Sequence, residues 1–207
     1  MSAPGEADLV VEWGAAGAAL AGEIESGDAH VIAGFEGGTL VAVVDGLGHG
    51  PEAAAASREA TRVLAARAGD PLDLLVECCH EALRATRGVV MTLASFRAHD
   101  SSMTWVGVGN VEGILLRGDR ATGRVREAIS TRGGVVGYHL PPLRPAVVPV
   151  APGDTLVLAT DGIRSGFVAH ADVGGSPQEV ADAIFGRYAR GTDDALVVVA
   201  RYLGVTR

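Results

Sequence analysis

Residues 28–50 read Asp-Ala-His-Val-Ile-Ala-Gly-Phe-Glu-Gly-Gly-Thr-Leu-Val-Ala-Val-Val-Asp-Gly-Leu-Gly-His-Gly, and Pro51 follows. Residues 28–35 and 38–44 are strand-length and rich in β-branched side chains, and Glu36-Gly37 between them has hairpin composition. The second run ends in a carboxylate, Asp45, followed by the glycine-rich stretch 46–50. Pro51 then sits where a first helical residue should, predicting a helix over 51–68. Gly69-Asp70-Pro71 breaks that helix, and apolar positions Leu72, Leu75, Val76, Cys79 and Leu83 predict a second over 72–86.

Working outward, residues 8–13 predict a first strand and 14–22 a small-residue connection. Beyond Gly88 the pattern turns to strands: 89–96, 102–109, 113–117, 125–128, 146–150 and 154–159. They are separated by Asp100-Ser101, Asn110 and Gly118-Asp119. Pro149 assigns 146–150 to a sheet edge or a strand end. Ser176-Pro177-Gln178-Glu179 has the form of a capping box with proline at the first helical position, opening a helix to about residue 188. Residues 195–202 close the chain as a strand. Long antiparallel meanders with helices packed outside predict a layered α+β fold and exclude a doubly wound one.

The chain has 207 residues, enough for one domain with a sizeable core. Its 48% apolar and 20% charged residues place it among globular proteins, not disordered ones. No uncharged apolar run approaches the ~20 residues that span a bilayer. The N-terminus has neither a basic segment nor an apolar signal core, so the expectation is a soluble cytoplasmic protein. All 17 basic residues are arginine, the net charge is −8, and the arginines are interspersed, which argues against a nucleic-acid or anionic-membrane partner. Cys78 and Cys79 are adjacent, unsuited to an ordinary disulfide or to zinc, and read as buried thiols. Trp13 and Trp105 read as core residues. No heptad stripe advertises an interface, so a monomer is expected.

The chemistry-bearing residues fall at strand ends. Residues 41–44 run into Asp45-Gly46, residues 156–160 run into Asp161-Gly162, and Asp193-Asp194 precede the last strand. Carboxylates at the ends of buried strands are costly unless hydrogen-bonded or bound to a cation. Magnesium or manganese would take such oxygen ligands, and two ions can share one bridging carboxylate. On spacing alone the alternative stands beside this, because Asp-Gly is also a common turn former. Gly46-Leu-Gly-His-Gly50 lacks the spacing of a dinucleotide loop and the Gly-Lys-Ser/Thr ending of a phosphate loop, and an aspartate heads it, so a nucleotide site is not indicated.

Asp45-Gly-Leu-Gly-His-Gly50, Ala159-Thr-Asp-Gly162 and Thr192-Asp-Asp-Ala195, in that order over nearly the whole chain, resemble the metal-dependent serine/threonine phosphatases of the PPM class. Ser26-Gly-Asp-Ala29 resembles the first acidic motif of that family. The match is closest to the small bacterial branch that contains the sporulation and general-stress phosphatases, and a free-standing domain of this length resembles its stressosome-resetting members. The resemblance implies a single PPM-type domain over 1–207. It implies a four-layer αββα sandwich, two antiparallel sheets with helices on the outer faces, and a pair of Mn2+ or Mg2+ ions at one edge. Asp45 would bridge the ions and Gly46 would offer its carbonyl. Asp161 and Asp193 would complete one shell, and Asp28 would act at the other ion through water. A metal-activated water would attack phosphoserine or phosphothreonine phosphorus in line.

Three departures from the family pattern stand out. The phosphate-binding arginine upstream of the first motif has no counterpart in Glu23-Ile-Glu-Ser-Gly27. Gly27 replaces the glutamate before Asp28, thinning one metal shell. Leu47 replaces the histidine after Asp-Gly, with His49 two residues later. His49 is a candidate acid for the leaving oxygen or a cap of the following helix. Arg164 is a candidate phosphate ligand, Asp194 a hydrogen-bonding support for the ligands, and Asn110 a turn former. The resemblance points to a phosphatase of stressosome scaffold proteins with the anti-sigma-antagonist fold. The alternatives are a phosphatase of a free anti-sigma-factor antagonist and a pseudophosphatase that only binds the phosphoprotein.

Overall fold

The computed structural model describes residues 9–117, 126–170 and 174–204. Along the chain run β1 (Val11–Ala18), β2 (Asp28–Phe35), β3 (Gly38–Gly46), α1 (Pro51–Ala66), α2 (Leu72–Ala82), β4 (Val89–Arg97), β5 (Ser102–Val108), β6 (Glu112–Leu116) and β7 (Arg126–Ile129). They continue with β8 (Ala146–Pro149), β9 (Thr155–Ala159), a short α3 (Phe167–His170), α4 (Pro177–Tyr188) and β10 (Ala195–Tyr202). Two five-stranded antiparallel sheets result, in the orders β1-β10-β9-β6-β7 and β2-β3-β4-β5-β8. The expected α+β sandwich is the fold, and Pro149 lies in an edge strand, β8. The sequence-predicted break at Gly118-Asp119 lies outside the described residues, as do the expected strand starts at Asp8 and Val125.

Side-chain alternation explains why four layers form. Leu40, Ala42 and Val44 of β3 face α1 and α2, packing with Leu64, Leu75 and Val76. Val41 and Val43 of the same strand face inward and meet Leu156, Leu158, Val198 and Tyr202 of the other sheet. Val197 and Val199 of β10 face outward onto Val180, Ala181 and Ile184 of α4. Strands covered on both faces lose the alternation of a half-exposed strand, which is why β3, β9 and β10 read as continuous apolar runs. Each buried Val or Leu contributes about 1.5–3 kcal/mol relative to exposure.

Helix starts follow the sequence signals. Ser176 accepts from the Glu179 amide, and the Glu179 carboxylate accepts from the Ser176 amide at 2.8 Å, closing the capping box. α1 opens on Pro51, and both α1 and α2 end a few residues before the predicted 68 and 86.

Two expectations are corrected. Residues 14–18 are not a connection but the second half of β1, paired residue by residue with Ala195–Val199. Their smallness serves packing: a Cβ on Gly14 would lie 2.4 Å from the Gln178 Cα, because the start of α4 crosses the strand there. The Gln178 amide then plugs the free edge, donating to the Ala15 carbonyl (2.9 Å) and accepting from its N–H (3.1 Å). Trp13 is not a core residue. It is 41% exposed and rests its ring on His30 across the open flank. Trp105 is half-buried against the core between the sheets. Cys79 is buried and Cys78 half-buried; burial, with Cys78 adding to it, pushes the Cys79 thiol up to about 12, so it is inert near neutral pH. Among the described residues no helix is long and apolar enough to cross a membrane.

Replacing Gly14 by alanine should force α4 off β1 and cost about 1–3 kcal/mol. Urea unfolding should show a lower midpoint with an unchanged m-value.

Candidate active site

The antiparallel register brings four chain segments to one end of the sandwich. β2 begins there with Asp28 and β3 ends there with Asp45, directly opposite each other. β9 leaves its sheet at the same end into Asp161, and β10 enters through Asp193 and Asp194. Together these five aspartates line a cleft of about 520 Å³, with Leu47, His49, Asn110 and the backbone of Gly133-Gly134 on its rim.

The inward alternation that places Val41 and Val43 in the core carries Asp45 into the space between the sheets. Burial is the main cause that pushes its carboxyl up to about 8, and Asp28, Asp161, Asp193 and Asp194 add to it. Asp28 is held up to about 7, again chiefly by burial. A hydrogen bond from Thr160 lowers it, while the neighbouring carboxylates raise it. Every charge named among these causes is another carboxylate. A half-buried set of hard oxygens repelling one another near neutral pH is suited to divalent cations. Among the described residues no three acidic, histidine or cysteine side chains stand, as placed, close enough together to hold a metal ion.

Hydrogen bonds separate the aspartates by role. Asp194 is buried and accepts from the amides of Leu20 and Gly27, both at 2.7 Å, so its charge is already satisfied and it pins the loop before β2. Among the described residues Asp193 accepts from the following amide, at 2.9 Å, and is exposed at the cleft. Asp161 accepts from the Asn110 side chain at 2.8 Å. One oxygen of Asp28 accepts from the Thr160 hydroxyl at 2.7 Å, and that hydroxyl accepts in turn from the Leu196 amide at 2.9 Å. Asn110 and Thr160 therefore orient two acidic side chains. Asn110 stood in the sequence as a turn former. Thr160 adjoins Asp161, but only the pairing of β9 with β10 and its proximity to β2 show that it serves Asp28.

The remaining candidates divide. Gly46 is buried beneath the cleft, its amide donating to the Gly27 carbonyl at 3.0 Å. Gly27 is fixed by close approach: a Cβ there would lie 2.9 Å from that of Ala53 and 3.0 Å from Asp194 Oδ2. As α1 packs on this loop, there is no room at residue 27 for the glutamate side chain that the family resemblance leads one to expect. His49 is at the rim, its Nδ1 2.7 Å from Glu23 Oε1. Arg164 does not join the cleft. Its guanidinium donates to the Arg187 carbonyl (2.6 Å), closing the C-terminal end of α4, where the helix dipole favours a cation.

The four-layer sandwich is shared with the Mycobacterium tuberculosis serine/threonine phosphatase PstP at 19% identity, over 95% of this chain and 100% of that one (TM-score 0.73). The family model for "Stage II sporulation protein E (SpoIIE)" matches residues 36–203, and the chain belongs to that family. A structure described under "The bacterial stressosome: a modular system that has been adapted to control secondary messenger signaling" is 32% identical. The match covers 92% of this chain and 99% of that one, with a TM-score of 0.83. The PP2C phosphatase domain of the cell fate determinant SpoIIE from Bacillus subtilis is 25% identical, over 95% of this chain and 64% of the other (TM-score 0.74). RsbX in complex with magnesium shares the fold at 19% identity, over 92% and 94% of the two chains (TM-score 0.82). A comparison with curated protein sequences gave no significant match.

The raised carboxyls make stability depend on pH. Protonated Asp28 and Asp45 favour the fold, and that contribution, fully present below the ordinary aspartate value of 3.8, is lost progressively as pH rises from there to about 7 and 8. In EDTA the melting temperature should therefore fall across that window. Asp45→Asn should flatten the fall and be more stable than wild type above it, by on the order of 2 kcal/mol. Adding Mn2+ should raise the melting temperature of wild type and not that of the variant.

Proposed function

We propose that the protein removes phosphate from serine or threonine of a regulatory phosphoprotein, a stressosome scaffold protein of the anti-sigma-antagonist fold, and so resets a stress response. The observation that carries this reading is the end-of-sandwich carboxylate cluster, in a chain 32% identical over nearly its whole length to one solved in a stressosome context.

Asp45, paired with Asp28 across β2 and β3 and lining the same cleft as Asp161 and Asp193, is the carboxylate that would be shared if two Mn2+ or Mg2+ ions were bound. Asp161 and Asp193, from the other sheet, would hold an ion with the oxygens not engaged by Asn110 and by the Asp194 amide, and the Gly46 carbonyl would be a neutral ligand. Asp28, one oxygen held by Thr160, would have the other for a second ion. When bound, the ions supply a water acidic enough to attack phosphorus and positive charge for the phosphoryl oxygens. The carboxylates set where those charges sit, and the Asn110 and Thr160 hydrogen bonds keep that geometry fixed through the reaction. His49, lining the cleft at its rim, would be the group that protonates the departing serine or threonine oxygen. With Arg164 committed to α4, phosphate recognition falls to the ions. The −8 charge of the chain agrees with a protein partner and not a nucleic acid. The whole chain acts as one PPM-type domain, a cytoplasmic monomer.

Phosphorylated anti-sigma-antagonist-fold proteins should lose phosphate with Mn2+ or Mg2+ and keep it in EDTA. Asp45→Asn and Asp193→Asn, both folded, should be slower by at least about 100-fold. Binding of the phosphoprotein without turnover under every metal condition would replace this reading with that of a pseudophosphatase.

A further inference from the structure

The loop between β1 and β2 is held at several points that its role as a connection does not require. Asp194 accepts from the amides of Leu20 and Gly27 near its two ends. Glu25 pairs with Arg58 of α1 at 2.7 Å. Between these anchors the half-buried Glu23 turns its carboxylate to the start of α1, where a Cβ on Gly50 would lie 2.9 Å from Glu23 Oε2. The N-terminal end of a helix favours a carboxylate. The other oxygen, Oε1, is 2.7 Å from His49 Nδ1. His49 in turn lines the cleft with Asp45 and Asp161.

We propose that Glu23 is a positioning residue for His49, accepting from Nδ1–H so that Nε2 is the nitrogen presented to the substrate's leaving oxygen. This rests on the phosphatase reading above and assigns a task within it. An imidazole on an exposed rim, with free torsions, spends little time in one orientation or tautomer. A carboxylate on Nδ1 removes that freedom, so that the ring in its imidazolium form directs the Nε2 proton one way. In the step it serves, the oxygen of water bonds to phosphorus as the bond from phosphorus to serine Oγ breaks. The electron pair stays on Oγ and takes the proton from His49 Nε2. The attacking water keeps one hydrogen on the phosphate and releases the other, and His49 regains a proton from solvent. Phosphate monoester and water thus become alcohol and hydrogenphosphate.

The test compares two leaving groups. p-Nitrophenolate departs without a proton, whereas a serine alkoxide needs one. With Mn2+, kcat/KM is measured for a phosphoserine peptide and for p-nitrophenyl phosphate, and their ratio is followed. His49→Ala should lower the ratio by about 100-fold or more, the scale of general acid catalysis, and Glu23→Ala by about 10-fold or more. The double variant should lose no more than His49→Ala alone, because Glu23 acts through His49. Glu25→Ala, on the same loop, should leave the ratio at its wild-type value. An unchanged ratio in Glu23→Ala, or losses that multiply in the double variant, would overturn the proposal while leaving the phosphatase reading intact. A wild type that turns over neither substrate, nor any phosphoprotein, with either metal would overturn both.

Discussion

Like charges held close in a half-buried place set the terms for this structure. Asp28 and Asp45 face each other across adjacent strands, with Asp161 and Asp193 opposing them from the second sheet. Nothing in such a cluster holds itself together. What holds it is the pair of sheets behind it: β3, β9 and β10 are buried on both faces, and the burial of their valines and leucines is bought by no local polar contact. Cross-strand register then fixes the spacing of the carboxylates to within a residue. A slip of one position in β3 would turn Asp45 out towards the helices and Val44 into the cleft.

Within that frame, the number of donors on each aspartate distinguishes support from reactivity. Asp194 has two amides on its carboxylate and holds a loop. Asp28 and Asp161 each have one oriented side-chain donor, enough to fix a direction while leaving an oxygen free. Asp45 has burial and repulsion and, among the described residues, no side-chain donor, and its carboxyl is pushed up to about 8. The gradient runs from structural to functional, and it agrees with a cluster whose charge is to be balanced by cations.

The sequence made the sandwich legible because strands covered on both faces are written as unbroken apolar runs, and because Pro51 and Ser176-Pro177 mark helix starts with local chemistry. It misled where a local signal had a distant cause. Residues 14–18 look like a connection because their small side chains answer to α4, more than 160 positions away. Arg164 follows an acidic turn but finds the end of α4 closer than the cleft. Trp13 lies in an alternating strand whose exposed flank is set by which strands are edges. The acidic residues were readable because each ends an apolar run. Thr160, Asn110 and Glu23 were not readable as their partners, since a hydroxyl, an amide or a carboxylate in a turn signals nothing until the pairing of strands says what it faces.

The stretch Glu23-Ile-Glu-Ser-Gly-Asp28 shows how packing can move a function along the chain. α1 packs so closely on this loop that residue 27 has no room for a side chain, and a carboxylate there would displace Ala53 or crowd Asp194. Four residues earlier, the loop rises to the first turn of α1, and there a carboxylate is welcomed by the helix end and reaches an imidazole at the rim. Under the proposed function, the loop would give up a negative charge beside the ions and keep one beside the proton donor. Fewer carboxylates next to Asp28 would mean less repulsion in that part of the cluster and a weaker hold on a second ion. The same short segment, anchored near both ends by Asp194, would then tie the cleft's hold on cations to its delivery of a proton.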